Sequence, residues 1–320
     1  MTGRRRRAAG GALLLTLATL AAAAPGRPDP ATLDYRLAAR ELAPGVYVVE
    51  GANADFEPAN GCNIINTGFI VGSEGVLVVN TGPSRLYGEQ LRALIARTTP
   101  KPVSQVLHLN LHPDYFLGNQ AFADVPRLAT PATLDGMRAE AKAYEDNLYR
   151  VCGDWMKGTE ALLPDRTLPT PAALSLAGRR LELRELKGHT ASDLVLIDQA
   201  SGVMFAGGLV FVDRVPTTPH AKLGDWLASL DALQPLRVET MVPSHGPVVG
   251  DARGIEQTRA YLRWIDGSFS QAAQRGWDLN EVLRQPVPAD FRGWAAFATE
   301  YTRNVVHLYP AYETRVLQRR

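Results

Sequence analysis

Between Gly45 and Val242 the apolar residues switch repeatedly from the two-residue alternation of a strand to the three- and four-residue recurrence of a helix, and back. Residues 45–50, 63–71 and 76–79 read as strands, punctuated by Gly51 and by the turn at 72–75. Residues 85–97 put Leu86, Leu91, Leu94 and Ile95 on one side of a helix that Thr98, Thr99 and Pro100 close, and 103–109 returns as a strand. A long amphipathic helix follows, marked by Leu134, Met137, Ala141, Tyr144, Leu148, Val151 and Trp155. The second half repeats the theme, with strands at 174–176, 180–186, 193–198 and 203–209, a helix at 226–233 and a strand at 240–242. Such a pattern predicts an α/β chain built of two mixed halves, and the absence of a short-period repeat excludes a solenoid.

At 320 residues, 46% hydrophobic and 21% charged, the chain can bury a large core and has no composition typical of disorder. Its first residues read differently. Arg4 to Arg7 make a positive start, 8–21 an apolar run, and Ala21, Ala22 and Ala23 a small-residue cleavage site, so 1–23 is expected to be a removed signal peptide. The run is short for a membrane span, and the paired arginines are compatible with twin-arginine export. The expected location is periplasmic or secreted. Loss of 1–23 removes four arginines and no acids, taking the formal charge from +1 to −3 and leaving no basic patch for nucleic acid. A Pro-rich leader at 24–44 then precedes a domain at 45–250. Residues 251–320 form a helical extension on the same domain, its three stretches separated by Gly276 and by Pro286 to Pro288 and the last running through Trp294 and Tyr301 to Tyr309. Export leads to an oxidising compartment, where Cys62 and Cys152 either pair or remain two buried thiols.

Three of the six histidines sit where strands run out into loops: His112 before Pro113 and Asp114, His189 between Gly188 and Thr190, and His245 between Ser244 and Gly246. Loops at the ends of strands on a rigid sheet are where ligand-binding side chains converge.

With its neighbours, this set resembles the metallo-β-lactamase superfamily. Asn110, His112, Asp114 and Tyr115, followed by Gly118 and Asn119, are similar to the signature His-x-His-x-Asp-His. Asn80-Thr81-Gly82 is similar to Asp-Thr-Gly, Phe205 to Gly208 to Phe-x-Gly-Asp, and Gly188-His189-Thr190 and Ser244-His245-Gly246 match in order. The resemblance implies a four-layer αββα sandwich with extra C-terminal helices. A softer resemblance, carried by Asn304, His307 and Tyr309, is to the periplasmic group associated with sulfur oxidation and quinoprotein systems, the quinoprotein relay zinc metallohydrolases.

The resemblance also implies where zinc would bind. One family site maps onto Asn110, His112 and His189, the other onto Asp114, Tyr115 and His245, and Gly208 stands where a bridging carboxylate belongs. An amide is a poor zinc ligand, tyrosine coordinates only as phenolate and glycine offers nothing, so a dinuclear centre is not expected. One zinc or other divalent ion, weakly held by His112, Asp114, His189 and His245, could acidify a water for hydrolysis of an ester, thioester, amide or sulfur-containing small molecule. Without metal, Asp114, Tyr115 and the polar Asn110 could still handle protons. The alternative is a degenerate ligand-binding or accessory protein of an exported oxidation system. A drug-hydrolysing β-lactamase ranks low, because no cysteine stands near Gly208.

The other residues have plainer readings. His108 is expected inside the sheet, His220 on a surface loop or over the pocket, and His307 packed on a helix. Asp193 is expected to orient the turn at His189, Asn80 to deprive the ligands of a supporting charge, and Tyr144 and Trp155 to pack in the core or line the pocket mouth.

Overall fold

A computed structural model describes residues 33–168, 172–236 and 238–318. The signal peptide expected at 1–23, and the leader up to residue 32, lie outside the described residues.

The first half forms a seven-stranded sheet in sequence order: β1 (Arg40–Ala43), β2 (Val46–Val49), β3 (Thr67–Val71), β4 (Val76–Val79), β5 (Val103–Leu107), β6 (Arg127–Ala129) and β7 (Arg166–Thr167). The first four pair antiparallel and the rest parallel. Parallel pairing needs crossovers, supplied by α1 (Arg85–Thr98) between β4 and β5 and by α3 (Pro131–Cys152) between β6 and β7. Ser84 caps α1 and Thr130 caps α3, each side chain accepting from a first-turn N–H.

The second half is a five-stranded sheet in the order β12-β11-β10-β9-β8. Its strands are β8 (Ala172–Leu176), β9 (Arg179–Leu186), β10 (Asp193–Asp198), β11 (Val203–Phe205) and β12 (Thr240–Val242). β12 joins β11 in parallel after α4 (Leu223–Leu233). β10 is buried at every position, which explains its continuous apolar stretch from Leu194 to Ile197.

The sheets stack face to face. Val46, Val48, Ile70, Leu77, Val79 and Leu107 of the first meet Leu181, Leu183, Leu194, Leu196, Phe205 and Val242 of the second. Gly68 lets the sheets approach closely, since an added Cβ there would lie 2.5 Å from the Phe205 ring. Outside the first sheet, Phe69, Val76, Val78 and Val106 bury Tyr87, Leu91, Leu94 and Ile95 of α1. Outside the second, Val195 and Met204 join a core with α4, α5 (Arg253–Arg275) and α8 (Phe297–Leu317). Helix, sheet, sheet and helix make the expected four-layer sandwich.

Several boundaries differ from the sequence reading. Residues 63–66 are a buried loop, because the Asn66 side chain bonds the Gly51 N–H and the carbonyls of Pro243 and Gly246. The strand expected at 203–209 stops at Phe205 and tightens into a 3-10 turn at Gly207–Leu209. β1 lies inside the stretch read as leader, paired to β2. Beyond residue 251 the described residues form four helices rather than three: α5, α6 (Leu279–Leu283), α7 (Ala289–Arg292) and α8. Gly276 ends α5 in the left-handed region, as its position suggests, but Trp294 precedes α8 and the helix continues past Pro310.

Cys62 and Cys152 form a disulfide, tying the loop before β3 to the end of α3. Among the described residues no helix is long and apolar enough to cross a membrane.

Candidate functional site

The chain leaves β5 at Leu107 and runs through His108, Asn110 and His112 into the single turn α2 (Pro113–Phe116), which Pro113 starts and which carries Asp114 and Tyr115. From the second sheet, the turn between β9 and β10 delivers His189, the start of β10 delivers Asp193, the turn after β11 delivers Gly208, and the chain just past β12 delivers His245. The residues expected from sequence therefore do meet. The His112 and His189 rings lie 4.6 Å apart, and His245 Nε2 is 3.6 Å from Asp114 Oδ2.

The side chains expected to hold a first ion are instead knitted to each other. The Asn110 amide nitrogen donates to Asp193 Oδ1 at 2.5 Å and lies 3.2 Å from His189 Nδ1, while its oxygen accepts from the His112 N–H at 2.9 Å. His189 Nε2 is 3.2 Å from Thr217 Oγ1, so both of its ring nitrogens are engaged. Gly208 is the condition for this arrangement. A Cβ there would lie 2.1 Å from His189 Nδ1, 2.7 Å from Asn110 Nδ2 and 2.8 Å from Asp193 Oδ1, so the place of a bridging carboxylate is filled.

The second set fares little better. Tyr115 is fully buried, its hydroxyl is engaged at 2.7 Å from Ser244 Oγ, and burial pushes the phenol well above its ordinary range. His245 is oriented by a 2.7 Å contact between Nδ1 and the Ile64 carbonyl, leaving Nε2 toward Asp114. His112 Nε2 is 3.1 Å from His220 Nδ1. Among the described residues no group of three or more His, Cys, Asp and Glu side chains is disposed to hold an ion. As placed, these donors do not fit a zinc ion.

What they do form is the floor of a cleft of about 450 Å³. His112, Asp114 and His245 line it, whereas His189 lies behind them, fully buried. One wall comes from α3 through Tyr144 and Val151, another from the 214–220 segment through Arg214, Thr217 and His220, and a third from α8 through Glu300, Arg303 and His307. Burial pushes Asp114 up to about 7, and holds the His112 and His245 rings well below their ordinary range and therefore neutral. Asp114 Oδ2 and the Tyr144 hydroxyl are buried and have no hydrogen-bond partner in the protein.

Some residues sit where the plainer reading puts them. His108 is inside the sheet on the Tyr115 carbonyl, Asp193 holds the His189 turn through the Thr190 N–H, and Trp155 packs on Tyr35. Others do not. Tyr144 and His220 line the cleft, the second of the two readings open to each, and His307 is exposed on α8 and also lines it instead of packing. Asn80 accepts from the Leu109 N–H and so holds the backbone that leads to Asn110. Sequence reasoning passed over Arg214, Arg303 and Glu300. Only Glu300, a carboxylate in the buried stripe of α8, left a sign in the sequence.

A family model described as the metallo-beta-lactamase superfamily matches residues 60–245, more than half of the chain. A linear primary-alkylsulfatase from a Pseudomonas species is 22% identical over 278 residues, 73% of this chain and 52% of that protein, so the chain spans about half its length. Among solved structures, a metallo-beta-lactamase from Pontibacter korlensis is similar with a TM-score of 0.58 and 24% identity, covering 71% of this chain and 99% of that one. One from Hirschia baltica has a TM-score of 0.54 and 19% identity, covering 71% and 97%. At those identities the likeness is one of fold.

Proposed function

We propose, from the premise that this chain belongs to the metallo-beta-lactamase superfamily, that its cleft binds a small polar molecule through protein side chains alone, in a hydrolase-like scaffold without stoichiometric zinc. One observation carries the reading. Asp114 Oδ2 and the Tyr144 hydroxyl are buried without a hydrogen-bond partner in the protein, on residues lining one cleft, and buried polar atoms are costly unless something bonds them. A ligand offering a donor to Asp114 and an acceptor to Tyr144 removes that cost. The filled place at Gly208 and the doubly engaged His189 support metal independence.

The test is metal analysis of the full chain purified from zinc-supplemented growth, with thermal unfolding in chelator and in added zinc. We expect substoichiometric metal and the same midpoint in both. One equivalent of zinc retained through dialysis, with a higher midpoint in zinc, refutes the reading.

The second reading is a single-metal hydrolase of an ester, thioester, amide or sulfur-containing molecule. Its support is that His112, Asp114 and His245 share one floor, and that a distant relative bears the name alkylsulfatase. Retained zinc with hydrolysis of such a substrate would establish it. Export is supported by the arginine, apolar and alanine succession of 1–23, and service to a periplasmic quinoprotein-type oxidation system by the Asn304 to Tyr309 tail. N-terminal sequencing of protein recovered from the periplasm checks the first of these.

A further inference from the structure

The C-terminal helix α8 lies beyond the residues matched by the family model, yet it builds one wall of the cleft. It also fixes the segment that builds another. Asn304 accepts from the Thr218 hydroxyl at 2.7 Å and donates to the Pro216 carbonyl at 2.9 Å. The segment so held carries Thr217 and His220, which engage His189 and His112. Whatever the cleft selects is therefore set in large part by α8 and by what α8 holds.

Two guanidinium groups stand on these walls. Arg214 is 1% exposed and makes three contacts with its five N–H groups: the carbonyls of Ala54 and Val215, and Glu300 Oε1 at 3.4 Å. That carboxylate oxygen is already held more closely, at 2.9 Å, by Arg303 Nη1. Arg214 is thus a buried cation whose one carboxylate contact is long and shared, an arrangement that is costly unless another negative group approaches. Arg303 commits Nη1 to Glu300 and to Asp55, and among the described residues Nε and Nη2 have no partner. The unpartnered Tyr144 hydroxyl is a third donor on the same cleft. The lining acids have neighbours of their own: Glu300 lies between the two arginines, Glu140 is 4.0 Å from His220 and Asp114 is 3.6 Å from His245. Phe56, Ile64 and Val151 supply the apolar lining.

We propose that the cleft takes a small organic oxyanion that also carries a hydrogen-bond donor. Its charged end lies against Arg214, Arg303 and Tyr144, its apolar body against Phe56, Ile64 and Val151, and its O–H or N–H on Asp114 Oδ2. This rests on the cleft being a small-molecule site and names the class of molecule. Carboxylates and sulfate esters share the required chemistry.

Titration calorimetry on the full chain compares mandelate, which has a carboxylate, a hydroxyl and a ring, with neutral mandelamide, with phenylacetate, which lacks the hydroxyl, and with phenyl sulfate. Mandelate is expected to bind at least about tenfold more tightly than mandelamide, and several-fold more tightly than phenylacetate. Tighter binding of phenyl sulfate than of phenylacetate assigns the oxyanion as a sulfate, and the reverse order as a carboxylate. Arg303→Met and Tyr144→Phe should each weaken mandelate by about tenfold, with a smaller loss for mandelamide in Arg303→Met, which removes a charge. Those two variants keep the test open if Arg214→Lys does not fold. Equal affinity for mandelate and mandelamide, no saturable binding by any of the four, or unchanged binding in both variants overturns the proposal. Repeating the titration in chelator separates it from the metal-free reading. Stoichiometric zinc with an anion preference that survives chelation sinks that reading and keeps this one, whereas a preference lost in chelator and restored by zinc overturns both, since the anion then rests on the ion.

Discussion

Replacing Gly208 tests the reading of the site most directly, because one Cβ meets three polar atoms of one network. His189 Nδ1, Asn110 Nδ2 and Asp193 Oδ1 would lie 2.1, 2.7 and 2.8 Å from it, and the Asn110 amide nitrogen cannot retreat without releasing Asp193 and His189, its two partners. Overpacking of this kind costs about 1 to 3 kcal/mol, and losing a hydrogen bond to a buried carboxylate about 1.5 to 3 kcal/mol. Gly208→Ala should therefore destabilise by about 3 to 5 kcal/mol. Equilibrium urea unfolding followed by circular dichroism reads this as a lower midpoint at unchanged slope. Gly208→Asp should lose at least as much, with or without zinc. An alanine variant within about 1 kcal/mol of the parent, close to the range of ordinary surface changes, would refute the filled-place argument. So would an aspartate variant that zinc stabilises, since the ion would then have recruited the new carboxylate.

Other contacts lead to three further expected outcomes. Asn304→Ala leaves the Thr218 hydroxyl, the Pro216 carbonyl and the Tyr261 hydroxyl without their shared partner, and should cost about 2 to 4 kcal/mol in urea unfolding. Hydrogen exchange should also quicken at residues 216–220. Replacing Cys62 and Cys152 together by alanine opens a loop of sequence separation 90, and should lower unfolding stability by about 4 to 5 kcal/mol if the constraint acts on the unfolded chain. Burial alone would raise Asp198, but the Arg179 guanidinium and Ser201 hold it below the ordinary carboxylate range. Its stabilisation is therefore present above the unfolded value, about 4, and is lost as pH falls through the lower folded value. Urea midpoints measured from pH 6 down to pH 3 should fall less steeply in Asp198→Asn.

The fold was legible wherever an element was long or patterned. Leu91, Leu94 and Ile95 marked α1, and the apolar stretch Leu194 to Ile197 marked β10, because burial of a stripe or of both faces leaves a period in the sequence. β6 and β7, at three and two residues, are too short to show one. Their places are set by neighbouring strands. In the site, loop position picked out His112, His189 and His245 and the family resemblance added Asp114, and the four do gather around one place. Their partners were not legible. Whether His189 faces an ion or Asn110 depends on what a glycine at 208 leaves room for, a question of packing between two turns far apart in sequence. Arg214 and Arg303 escaped notice for a similar reason, since nothing near either in the sequence announces that α8 returns to the cleft.

The margins of the first sheet have a consequence for how copies of this chain meet. β1 carries the exposed Arg40 and Glu41, with Arg40 held by Glu50 at 2.8 Å, and β7 is two exposed residues, Arg166 and Thr167. A free margin with unpaired backbone is a template for another strand, and charge and brevity both spoil the template. Self-association by sheet extension is disfavoured at both of these ends, so crowding the protein should leave this sheet closed to its own kind.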